Sequence, residues 1–449
     1  MPEYNVVMMV VCYVAAPFVV WKAQRWPELP VAVGTFGIPL IQAAFGGCGI
    51  SVTAISCVLL SLGLIRAFVK SRRVRFGGIE RSMMALALVV VASLLYTPSA
   101  AYGQRKALLF AGWSVLIVVS TSQTVLDRRS LSRFVWQGTL LTIAFTGLCV
   151  VFQSEFIKGD YSRQALLDPT GDSLTFGCGM VLALVWLNGQ GIALKALAAV
   201  IAATQAYFLL LSGSRSSMAA ILVSLLLVSG LRAWKGTRSL LRSLKYPLFA
   251  AFLVLGGVLI RPMLPPSLID RVFIWERVTD SGRQPHYAAA LALMTERPFI
   301  GLGVGGYKAG MTSAGYYSAT GGPWDQVAYW PLHPHNIFLE VFVEYGALGA
   351  AVFAFLLWRV AKGLYAIVVQ TQGREKSLAL GMVATGLFTF GFVISQFEFD
   401  MPGNTSLWMG VGLVAALTRL RYSRQVLHTP VALLPQRALP IPTPSIVRY

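Results

Sequence analysis

Histidine, asparagine and two glutamates crowd into the string His333-Pro334-His335-Asn336, which continues as Ile337-Phe338-Leu339-Glu340-Val341-Phe342-Val343-Glu344-Tyr345-Gly346. Imidazole is the side chain whose ordinary pKa suits proton transfer near neutrality. Asn336 is of the type that caps a helix, and an apolar run follows it. Glu340 and Glu344, spaced i, i+4, then share one face of that helix just inside its outer end. Carboxylates within a membrane span are expensive and mark functional sites by default. Taken singly, Asn336 reads as a cap and His335 as a surface residue. Their convergence with two carboxylates at one helix end favours a site.

A second string, Leu211-Ser212-Gly213-Ser214-Arg215-Ser216-Ser217, separates two apolar runs by so short a turn that Arg215 must sit at or inside the outer interface. An arginine there needs an anion or water. Guanidinium suits bidentate phosphate binding, and Ser216, Ser217 and the free N–H groups of a helix start add to an anion site. A snorkelling arginine that caps a hairpin is an equal reading. Further guanidinium groups on the same side are Arg163, in Tyr161-Ser162-Arg163, and Arg271, Arg277, Arg283 and Arg297. Neighbouring acids account for most of these by ion pairing; Arg283, next to Gly282 and close to Pro285 and His286, carries more weight. Glu398 and Asp400 are better explained by solvation of a turn than by binding a sugar. Gly301-Leu302-Gly303-Val304-Gly305-Gly306 fits GxGxxG but follows Pro298 rather than a strand, so a tight turn replaces the dinucleotide reading. No metal signature such as HExxH or DxD is present on this face, and the five cysteines form no CxxC pair.

The elements that must position these residues are membrane spans. Of 449 residues, 56% are hydrophobic and only 12% charged, against about 25% charged in soluble proteins. Windows of about 20 apolar residues fall near 5–21, 29–46, 49–69, 82–97, 107–121, 134–153, 173–188, 191–211, 216–231, 246–261, 336–358, 377–397 and 403–418. The segments at 29–46 and 173–188 are short or broken by Gly and Pro. An all-α polytopic membrane protein of about 12–13 spans is expected, with no cleavable signal peptide. The net charge of +19 is lopsided. The basic clusters Lys70–Arg75, Arg128–Arg133, Arg232–Lys245, Arg359–Lys376 and Arg419–Arg437 all fall on one side, with only Glu28, Glu80, Asp127 and Glu375 as acids beside them. The positive-inside rule makes that side cytoplasmic, which places the C-terminus inside. Topology and attraction to anionic membrane lipids therefore explain the charge better than nucleic-acid binding.

The chain divides into spans at 1–260, a large outer loop at 261–335, spans at 336–420 and a Pro-rich tail at 421–449. Within the loop, Tyr287–Thr295 suits an amphipathic helix lying along the membrane surface.

With these strings in order, the chain resembles the superfamily of O-antigen ligases and of O-antigen and exopolysaccharide polymerases. The resemblance rests on Ser212-Gly213-Ser214-Arg215-Ser216 opening a span. It continues through Met294-Thr295-Glu296-Arg297-Pro298 with Gly301-Leu302-Gly303 in a long loop, then His335-Asn336-x-x-Leu339-Glu340 with Glu344-x-Gly346, and covers roughly residues 205–360. It implies a GT-C-like fold in the bacterial inner membrane, with the loop and the site on the periplasmic side. It also implies transfer of a glycan from undecaprenyl diphosphate to a hydroxyl of lipid A–core, of another repeat unit or of another acceptor, without metal or other cofactor. By resemblance His335 and Arg215 correspond to the family's histidine and span-opening arginine. Glu340 is expected to orient the imidazole or stabilise its charged form. Arg163, Arg283, Asn336, Ser216, His333 and Glu344 are expected to bind substrate. A transporter or flippase for lipid-linked sugars shares the span count, but such proteins tend to show internal repeats and midplane sites. One giant loop breaks that symmetry.

Overall fold

A computed structural model describes residues 14–45, 51–71, 76–151, 169–186, 192–234, 283–313, 332–369, 375–398 and 400–428. These residues form helices and no strands. In chain order the helices are α1 (Val14–Ala23), α2 (Glu28–Phe36), α3 (Ile38–Phe45), α4 (Val52–Ser71), α5 (Gly78–Ala92), α6 (Ala100–Leu108), α7 (Val115–Thr124) and α8 (Arg128–Val151). They continue as α9 (Pro169–Val181), α10 (Ile192–Leu211), α11 (Arg215–Trp234), α12 (Arg283–Met294), α13 (Gly306–Ser313), α14 (Ile337–Val369), α15 (Glu375–Ile394) and α16 (Thr405–His428).

Seven helices among the described residues are long and apolar enough to cross a membrane, and an eighth span results if α2 and α3 count as one. That pair occupies the expected span at 29–46 but bends by 66° at Gly37, so the run broken by Gly and Pro is a broken helix. Four further apolar helices are shorter: Val14–Ala23, Ser173–Val185, Leu378–Ile394 and Thr405–Leu420. The expected span at 246–261 lies outside the described residues.

The bundle keeps its polar surface low on the outside, as lipid requires. Leu88, Leu140, Val200 and Leu226 stand exposed on the flanks, where a water-soluble protein would place charges. Inside, Trp408 is fully buried against Phe110, and Phe176 lies between Phe145 and Phe208, with ring centroids 5.4 and 5.5 Å away. Small residues allow backbones to approach: a Cβ on Gly391 of α15 would collide with the backbone of Leu407 in α16. Close backbone contact of this kind replaces the hydrophobic drive that lipid removes.

Residues of the basic clusters meet at one end. Arg133 pairs with Glu28, Lys70 Nζ donates to the Arg25 carbonyl at 3.2 Å, and Arg419 donates to the carbonyls of Ser122 and Val125. Arg359 of α14 lies over Gly78 at the start of α5. Glu340 stands in the first turn of α14, on the far side of Gly346 from Arg359. The carboxylates therefore belong to the opposite boundary from the basic clusters.

Candidate active site

α14 is not one continuous rod. Gly346 interrupts it with φ 63° and ψ −162°, a conformation that L side chains rarely adopt. The break frees backbone groups at membrane depth, which must be satisfied within the protein. The loop between α12 and α13 supplies the partners. Leu302 and Gly303 donate N–H to the carbonyls of Val343 and Glu344 at 2.9 Å each, while Ala347 and Leu348 donate to the carbonyls of Pro298 and Phe299 at 2.8 and 3.1 Å. Cβ atoms on Gly301 or Gly346 would collide with the facing backbone. The GxG string and the helix break thus fit one another. The loop is also tied to the end of α5: Tyr96 and Thr97 donate to the carbonyls of Ile300 and Val304, both at 2.6 Å.

The helix expected at Tyr287–Thr295 exists as α12. Its buried Ala289, Ala290 and Leu293 pack with Tyr307, Met311 and Val343, so it rests on α13 and the outer part of α14, not on the membrane surface alone.

Within this frame α14 starts at the Asn336 cap. Asn336 Oδ1 accepts the N–H groups of Phe338 and Leu339 at 3.0 and 3.1 Å. That oxygen is occupied by capping, so of the expected substrate-binding side chain the NH₂ group remains. Just before the cap, His335 has φ 53° and is the only non-glycine with positive φ among the described residues. Strain of this kind, about 1–3 kcal/mol, persists where surrounding structure imposes it. The turn and α12 bring three imidazoles together: His335 lies 4.4 Å from the tilted ring of His333 and 5.3 Å from His286, edge to face, between ring centroids.

His333 Nε2 faces the Glu398 carbonyl at 2.9 Å. A carbonyl only accepts, so Nε2 carries the proton. The Nδ1 atoms of His333 and His335 are buried without hydrogen-bond partners, while His286 Nδ1 meets the Tyr307 hydroxyl at 2.9 Å. Burial, followed by the charges of His333, His286 and Arg283, holds the His335 imidazole down to about 3. His286 and His333 are lowered as well, burial again being the largest cause. His335 is therefore a neutral imidazole at neutral pH.

Glu398 joins this cluster to the turn before α11. Its carboxylate oxygens accept from Ser214 Oγ at 3.2 and 3.1 Å, while its backbone oxygen holds His333. Ser214 also caps α11, accepting the Ser217 N–H at 3.3 Å. Arg215 is the first residue of that helix, half-buried, and Ser216 is buried with its hydroxyl 3.2 Å from Ser214 Oγ. Arg283 opens α12, its guanidinium carbon 5.9 Å from the centre of the Phe397 ring. The structure thus brings together His333, His335, Arg283 and the Arg215 turn. Arg163 lies outside the described residues.

Glu340, expected to orient the imidazole or stabilise its charged form, and Glu344, expected to bind substrate, both face a buried lysine. Lys106, on α6, lies 2.6 Å from Glu340 Oε1 and 2.7 Å from Glu344 Oε1, and Glu340 Oε2 accepts the Met401 N–H at 2.9 Å. All three charged side chains are buried. Glu340 lies more than one turn below the histidines along α14, so its reach is to α6 and to the turn after α15. Sequence reasoning missed Lys106 and gave Glu398 only a solvating role. The available signal was a lysine at the mouth of an apolar run on the side otherwise poor in base.

Residues 197–354 match the family model described as O-antigen ligase. That stretch is similar to the O-antigen ligase superfamily. The matched ligase domain holds Arg215, Arg283, the three histidines and both buried glutamates, whereas Lys106 and Glu398 contact it from outside. No curated protein matches the sequence.

Proposed function

We propose that the protein is an inner-membrane glycosyltransferase. It moves a glycan from undecaprenyl diphosphate to an acceptor hydroxyl at the periplasmic face, either on lipid A–core, as a ligase, or on another lipid-linked repeat unit, as a polymerase. The basic end of the bundle then faces the cytoplasm. The observation that carries this reading is a neutral, strained histidine that feels the charge of Arg283 and is linked through His333 and Glu398 to the Arg215 turn, inside a domain similar to the O-antigen ligases.

In the reaction the bond between the anomeric carbon and the phosphate oxygen breaks, and the acceptor oxygen bonds to that carbon. His335 takes the acceptor hydroxyl's proton, and undecaprenyl diphosphate leaves with the bonding electron pair. Arg215 and Arg283 meet the charge that gathers on the leaving diphosphate, the role fixed cations fill well where water is excluded. This assigns to arginine what a divalent metal does elsewhere. A bound diphosphate also offsets the positive charges that depress His335, so the base strengthens when donor is present. Asn336, Ser216 and His333 line the approach, and Arg163 is assigned to the donor as well.

The test uses the purified full-length protein in lipid with undecaprenyl-diphosphate glycan and acceptor. His335→Ala should slow transfer by about 10²–10⁴-fold and Arg215→Ala by about 10²–10³-fold, with a chelator changing neither the wild-type rate nor these ratios. Unchanged transfer by both variants would overturn the site. Deleting the gene and separating envelope glycans on a gel identifies the acceptor: unmodified core beside accumulated long polymer means ligase, and core bearing one repeat means polymerase.

A further inference from the structure

At the basic end of the bundle a groove of about 640 Å³ runs between α5 and α14. Arg81 and Arg359 stand at its head; Ala85, Ala351, Val352 and Phe355 form its wall. Ala85, Ala351 and Phe355 are exposed, so the groove opens on the lipid-facing flank of the bundle.

The two guanidinium groups have no carboxylate partner among the described residues. Arg81 Nε donates to the Phe76 carbonyl at 3.2 Å, which leaves its terminal nitrogens available. Arg359 Nε is buried without a hydrogen-bond partner. The planar group lies over the rings of Phe355 and Trp358, 4.9 and 5.3 Å from their centres. Its NH1 lies 3.0 Å from where a Cβ on Gly78 would stand, so Gly78 makes room for it at the N-terminal end of α5. Glu80, the acid closest in sequence, is buried and faces Gln123 Nε2 at 3.5 Å. Two cations, one with an unsatisfied buried N–H, therefore converge at the head of the groove.

We propose that this groove binds one anionic phospholipid. The phosphate sits between Arg81 and Arg359, and one acyl chain lies along Ala85, Ala351 and Val352. The apolar wall selects a lipid over a free anion, since inorganic phosphate makes no use of it. Basic pockets between spans are where anionic headgroups collect. The site is independent of the transfer chemistry. It lies at the far end of the same helix pair that grips the loop at Ile300 and Val304, so its occupant stitches α5 to α14.

Native mass spectrometry of the full-length protein, stripped of lipid and offered defined lipids, tests the site. Phosphatidylglycerol should give one retained lipid that phosphatidylcholine does not, and millimolar inorganic phosphate should not displace it. The double variant Arg81→Gln/Arg359→Gln should lower phosphatidylglycerol occupancy about tenfold or more. Ala85→Trp, which fills the wall but keeps both arginines, should do the same, while Lys22→Gln should leave binding unchanged. Equal retention of phosphatidylcholine, wild-type binding by the double variant or by Ala85→Trp, or displacement by inorganic phosphate would each overturn the proposal.

Discussion

Two polar clusters lie near one another at the end of the bundle away from the basic residues, and they are built on opposite terms. The lower one, Lys106 with Glu340 and Glu344, is closed and buried, its opposite charges held at 2.6 and 2.7 Å. The upper one, His286, His333 and His335, gathers bases that repel when protonated and leaves two ring nitrogens without partners. One of its members is strained. A closed ion cluster fixes helices in place, whereas unpartnered nitrogens on a strained turn are poised for something that arrives. On the proposed function, the first cluster holds the site and the second acts in it.

The sharpest break of this contrast is Lys106→Met. Removing one partner of a buried ion cluster costs about 3–5 kcal/mol, read as a lower thermal midpoint in lipid. Adding Glu340→Gln and Glu344→Gln to it should recover much of the loss. His335→Ala should leave the midpoint nearly unchanged while turnover collapses. If both variants lost stability equally, the division would fail.

Acid provides a second comparison. The His335 imidazole is held at about 3, below an unfolded value of about 6.5. Between these values the unfolded chain binds more protons. The contribution to stability is therefore complete above about 6.5 and drains as pH falls toward about 3. The wild-type midpoint should drop across that window more steeply than that of His335→Gln. The smallest effect is expected of Ser214→Ala. It removes a helix cap worth about 1 kcal/mol together with the link to Glu398, and should raise KM more than it lowers kcat.

The sequence made the local parts of this picture readable. Asn336 as a cap, the tight Gly-rich turn and the Arg215 hairpin all follow from chemistry within a few residues. The Lys106 cluster was not readable, because its partner Glu344 is 238 positions away and a hydropathy window treats a lysine as the end of a span. Glu398 was misjudged for the same reason: Ser214 lies 184 positions from it, and the hydrogen bond to His333 uses backbone, which carries no sequence signal. The break at Gly346 was hidden inside a run apolar enough for one continuous helix. Only the loop that faces it explains why glycine stands there.

That break bears on how the protein is assembled. Until Pro298–Gly303 arrives, the carbonyls of Val343 and Glu344 and the N–H groups of Ala347 and Leu348 have nothing to bond at a depth where each orphan costs several kcal/mol. The loop emerges from the ribosome before α14, so this segment must wait until the helix that needs it has been inserted. The outer segment of α14, with the histidines at its head, can then settle only after the loop has docked. The histidine cluster is on this account the last thing to form, and a chain caught midway holds a span without it.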